Sequence, residues 1–152
     1  MIVSEIMRWR VATCGSQDDL ATAAGIMGEH HCGFVPVVDG HGSVLGVLTD
    51  RDVCLCAADK SRSMMQISVK DAMSHPVFSC RPDENVKTTI TTMAKHHVRR
   101  LPVMDQHGHL QGVLSIDDVI QAPHRHGAPT AEEIVAALKG ISTQRPIETV
   151  SA

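Results

Sequence analysis

One unit is written twice in this chain. Sliding the sequence 66 residues along itself sets Val3 on Val69, Met7 on Met73, Val11 on Val77 and Cys14 on Cys80. The register continues without a gap through His30-His31 on His96-His97, Pro36-Val37 on Pro102-Val103, Asp39 on Asp105 and Gly46-Val47-Leu48 on Gly112-Val113-Leu114. A match over about fifty positions marks an internal duplication. With 152 residues in all, neither copy buries enough surface to stand alone, so the two must share a core. A single globular body follows.

Each copy opens, after a short strand, with a helical pattern: Leu20, Ala23, Ala24, Met27 and His31 in the first, and Val86, Ile90, Met93 and His97 in the second. Asp18-Asp19 and Asp83-Glu84 suit the helix starts. Two apolar runs separated by an Asp, His and Gly turn then read as a hairpin, and a second helix is expected from Thr49 and from Ser115. The unit is therefore strand, helix, strand, strand, helix, an α/β (α+β) design. Its boundaries fall at residues 3–57 and 69–121, with 58–68 as linker and 122–152 as a tail. Within the tail, Thr130-Ala131-Glu132-Glu133 opens a helix over 130–139 with a capping box, and order is not expected beyond Gly140.

Composition narrows the function. A net charge of -3 offers no basic face for nucleic acid, and 2% aromatic residues provide almost no platform for stacked bases. No apolar run reaches the roughly 18 residues of a membrane span, and the N-terminus lacks a secretory signal, so a cytoplasmic location is expected. Five cysteines, an odd number without a CxxC pair, read as free thiols, with Cys54 and Cys56 as buried small hydrophobes. Adjacent histidines on a helix point about 100° apart, which favours a cationic helix end over a metal site, with phosphate contact by His97 as a variant. No Gly-x-Ser-x-Gly elbow or Walker loop is present, and no catalysis is expected.

Both hairpins end in a related sentence, Gly46-Val47-Leu48-Thr49-Asp50-Arg51-Asp52 and Gly112-Val113-Leu114-Ser115-Ile116-Asp117-Asp118. A hydroxyl followed three residues later by Asp is a common helix cap. The same geometry receives a phosphate on N–H groups and a hydroxyl, while the carboxylate accepts from a ribose diol. Arg51 either offsets Asp50 and Asp52 or reaches a phosphate.

With its motifs preceded at matching spacing by Pro-Val-x-Asp and a His-Gly turn, the chain resembles a tandem pair of cystathionine beta-synthase (CBS) domains, a Bateman module, over about residues 3 to 121. The resemblance implies two units packed through their sheets with pseudo-twofold symmetry, and two clefts for adenosine-containing ligands such as AMP, ADP, ATP or S-adenosylmethionine. It implies Asp52 and Asp118 on ribose, Thr49 and Ser115 on phosphate, and adenine against the opening strands around Val11 and Val77. Arg99 and Arg100 stand where basic residues approach phosphates, whereas the first copy has Gly33 and Phe34 there, so a polyphosphate should prefer the cleft the arginines reach. Ser16 in place of the second copy's Pro82 implies a looser first turn. A homodimer and an effector protein as partner are further expectations. The alternatives are a structural interaction module whose motifs are only caps, and a metal or redox sensor.

Overall fold

A computed structural model describes residues 1–123 and 125–143. His124 and the last nine residues, the end of the expected tail, lie outside the described residues.

Two three-stranded sheets carry the fold. In the first unit β2 (Cys14–Gly15) runs parallel to β3 (Phe34–Val38), which forms a hairpin with β4 (Val44–Thr49). In the second unit β5 (Arg100–Met104) and β6 (Leu110–Ser115) form the same hairpin. Each turn is built alike: the Asp39 carboxylate accepts from the N–H groups of His41 and Ser43, and Asp105 accepts from those of His107 and His109. Gly42 and Gly108 sit at φ 85° and 84°, where an L side chain is strained. That is why a glycine closes both turns.

The expected helices form. α1 (Leu20–Glu29) starts on Asp19, whose side chain accepts from the Thr22 N–H, and buries Leu20, Ala23 and Met27. α4 (Val86–His96) starts one residue later than the acidic pair suggested, with Asn85 as its cap. Glu84 instead accepts from the buried Thr89 hydroxyl at 3.1 Å. α2 (Asp50–Lys60) and α5 (Ile116–Gln121) follow the hairpins, and a short α3 (Val69–Ala72) opens the second unit. α6 (Ala131–Ser142) has its Thr130–Glu133 capping box but runs past Gly140, because Ile141 is buried against the second core.

The two units are interlocked. β1 (Arg8–Trp9), near the start of the first unit, pairs antiparallel with β6 of the second. Reciprocally, Ser74 exchanges two hydrogen bonds with Val47 of β4. Val3 is fully buried in the second unit's core and Val69 in the first's. The backbones follow: Val3 N–H donates to Glu84 O, and Val69 N–H to Asp18 O. At the axis relating the copies the hairpin turns meet, with Val44 N–H on Gly108 O and Leu110 N–H on Gly42 O. Each core is thus completed by the opening segment of the other copy, the physical form of the sharing that chain length demands. The opening strand of each copy is correspondingly slight: Cys14–Gly15 in the first, and in the second a single bridge from Cys80 to Val103.

Candidate functional site

Both duplicated motifs lie at the junction where the last hairpin strand turns into a helix. Thr49 caps α2: its hydroxyl accepts from the Asp52 N–H at 3.1 Å, and the Asp52 Oδ2 accepts from the Thr49 N–H at 2.9 Å and the Thr49 hydroxyl at 2.7 Å. Ser115 and Asp118 repeat the pattern at α5, with the Asp118 Oδ2 accepting from the Ser115 N–H at 2.9 Å and from its hydroxyl. The capping expectation is met in full, twice. One consequence limits the phosphate role implied for Thr49 and Ser115: each hydroxyl proton already lies on its own carboxylate, so donating to an anion requires giving up that bond.

The second oxygen of each carboxylate is where the copies part. Among the described residues, no hydrogen bond or ion pair reaches Oδ1 of Asp52. Oδ1 of Asp118 accepts from Nε of Arg8 at 2.8 Å, the arginine arriving on the exchanged strand β1. The Asp118 side chain is 9% exposed and that of Arg8 70%. Burial works to raise the Asp118 pKa, but the bonds from Ser115 and Arg8 outweigh it and hold the carboxyl below its ordinary value. The repeat partner of Arg8 is the exposed Ser74, which carries no charge.

Around this pair the second unit carries two arginines that the first lacks. Arg100 lies opposite Ser115 in the β5–β6 register, and Arg99 stands 3.8 Å from Asp117. In the first unit Phe34 lies opposite Thr49, and a Cβ at Gly33 would come within 2.6 Å of the Asp50 carboxylate. Glycine there makes room for an acid at the position that Ile116 holds in the second copy. Arg51 is exposed at the start of α2. Val11 and Val77 are half-buried, but neither lies in a strand; the opening strands sit three residues later, at Cys14 and Cys80.

Other expectations shift. His97 closes α4 in a left-handed conformation, φ 54°, and its Nδ1 lies 2.9 Å from Gly140 O of α6, which turns the ring to the tail and not to the motif. Cys54 is exposed, on the side of α2 away from the buried Val53, and Cys56 is half-buried, so neither is the buried small hydrophobe expected. No group of three or more His, Cys, Asp or Glu among the described residues is placed to hold a metal ion. Two hollows of about 280 and 290 Å³ lie elsewhere, one beside Arg81 and His107 and one between α4 and α6. Arg8 was the residue that sequence reasoning missed; its signal was the failure of the repeat at Arg8 and Ser74.

The CBS domain family matches residues 3–58 and 69–125. The chain belongs to the CBS-domain family. It is 34% identical over 117 residues to the CBS domain-containing protein YhcV of Bacillus subtilis, covering 77% of this chain and 81% of that one. Two solved structures share the fold. The CBS domain pair of protein MJ0100, in complex with 5'-methylthioadenosine and S-adenosyl-L-methionine, superposes with a TM-score of 0.73 at 24% identity over 80% of this chain and 94% of that one. CBSX2 in complex with AMP gives 0.70 at 22% over 79% and 93%. The interlocked pair of sheets is thus the architecture of a CBS domain pair. No helix among the described residues is long and apolar enough to cross a membrane.

Proposed function

We propose that this CBS pair is a regulatory module that binds adenosine-containing ligands in two clefts and performs no catalysis of its own. The observation that carries the reading is the division of labour within each carboxylate: one oxygen completes the helix cap while the other has no partner among the described residues at Asp52 and is held by an arginine at Asp118. A vicinal ribose diol offers two O–H donors to such an oxygen. Ribose then lies on Asp52 or Asp118 and adenine beside Val11 or Val77. Phosphates lie toward Arg99 and Arg100 in the second cleft and Arg51 in the first. Binding across the interlocked units favours one relative orientation and so changes contact with a partner. AMP, ADP and ATP are the leading candidates, S-adenosylmethionine the next. The module works in the cytoplasm as a homodimer, with an effector protein downstream.

A second reading has its own support. The capping boxes are complete without a ligand, as they would be in a purely structural interaction module. A thermal-shift panel of AMP, ADP, ATP, NADH and S-adenosylmethionine separates the two, since a ligand at a hundred times its Kd adds about 2.7 kcal/mol. A shift that Asp52→Ala or Asp118→Ala removes supports the sensor. A flat panel leaves the structural module.

A further inference from the structure

The Arg8–Asp118 pair does more than neutralise a carboxylate. Its geometry places an exposed guanidinium over the one oxygen that the cap leaves free, and among the described residues it does so in one cleft only. A ribose diol entering the second cleft must displace Arg8, and the displaced cation needs another anion. An uncharged nucleoside brings none. A phosphorylated one brings its own, and the guanidinium fork suits phosphate oxygens in paired hydrogen bonds. The first cleft imposes no such exchange, because Ser74 stands at the equivalent place and no cation reaches Asp52 among the described residues.

Building on the adenosine reading above, we propose that Arg8, delivered by the exchanged strand β1, is a specificity-determining residue that makes the second cleft select phosphorylated over uncharged adenosine ligands. The first cleft accepts both. The arrangement also explains why the Arg8 side chain is 70% exposed while that of its half-buried partner is only 9% exposed: one long side chain can leave Asp118 and remain at the mouth of the cleft. Because β1 is held to β6 by only two residue pairs, ligand exchange at Asp118 is linked to the seating of the N-terminal segment.

Calorimetric titration with adenosine and with AMP tests this. In an Asp52→Asn background, which silences the first cleft, Arg8→Met should tighten adenosine about fivefold, the scale of a half-exposed ion pair, while AMP gains nothing. The AMP preference of the second cleft should therefore fall by at least that factor. Conversely, Ser74→Arg in an Asp118→Asn background should weaken adenosine at the first cleft and leave AMP bound. Circular dichroism verifies that each variant is folded. If Arg8→Met leaves adenosine affinity unchanged, or improves both ligands equally, the selectivity role is overturned while the adenosine reading stands. If neither background binds either ligand, even with Arg8 replaced, both fall together.

Discussion

Gly112→Ala strikes the interlock of the two copies at its tightest point. A Cβ built on Gly112 would stand 2.3 Å from the carbonyl oxygen of Arg8 and 3.2 Å from its carbonyl carbon, where ordinary contact begins near 3.4 Å. The obstacle is backbone, so no rotamer change relieves it, and β1 must retreat by about 1 Å. The strand has only the pairs Arg8↔Val113 and Trp9↔Gly112 to lose, and its retreat also draws Arg8 from Asp118. Overpacking of this kind costs about 2 kcal/mol, which in a chain of this size lowers the melting temperature by roughly 4–8 °C. The repeat partner gives an internal control. A Cβ at Gly46 meets the Met73 sulfur at 2.7 Å, a side chain that can swing aside, and backbone only at 3.2 Å, from Ser74. Gly46→Ala should therefore cost less than about 1 kcal/mol. Thermal unfolding of both variants by circular dichroism reads the difference. Equal melting temperatures would refute the claim that β1 is locked against β6 more tightly than residue 74 is against β4.

Three further outcomes are expected. Ile141→Ala, which empties a buried position where α6 covers the second core, should cost about 2–4 kcal/mol in denaturant unfolding; a cost under 1 would mean that the last turn of the tail is not docked. Burial, aided by Asp18, raises the Cys14 thiol to about 11, and burial with Glu84 raises that of Cys80 to about 12. At pH 8 a disulfide reagent should therefore modify exposed Cys54 at once and these two only as the protein opens, with prompt reaction of all five contradicting the packing. Arg8→Met should lower stability at neutral pH by removing a partner of ionised Asp118. Because the folded carboxyl titrates below its ordinary value, that contribution is present above the unfolded pKa and is lost as pH falls through the folded one. Melting curves of variant and wild type should converge as the pH drops past about 4; a gap that stays constant would place the effect in packing instead.

Much of the architecture was legible because the duplication repeats every local signal. The hairpins, the Gly42 and Gly108 turns, and both hydroxyl–carboxylate caps depend on residues near one another in sequence, and they form where the pattern put them, with strand ends within one residue. The interlock was not legible. A two-residue strand carries no periodicity, and nothing local shows that Arg8 will pair with Val113 and not with its own hairpin. The same holds for Asn85, whose capping role emerged only when Glu84 was drawn to Thr89, and for the extra turn of α6, which Ile141 owes to burial against a distant core. At the candidate site, the asymmetry between Gly33-Phe34 and Arg99-Arg100 was visible in the sequence, whereas the deeper one, Arg8 against Ser74, needed the fold to bring those residues to the motifs.

Equilibrium dialysis of AMP against the wild type and against the double variant Asp52→Ala/Asp118→Ala tests whether the two carboxylates hold the ligand. The wild type should bind one to two equivalents saturably, and a double variant that remains folded by circular dichroism should bind none. Undiminished binding by the double variant would contradict the assignment of both carboxylates, and no binding by the wild type would contradict the reading of this CBS pair as an adenosine-ligand sensor.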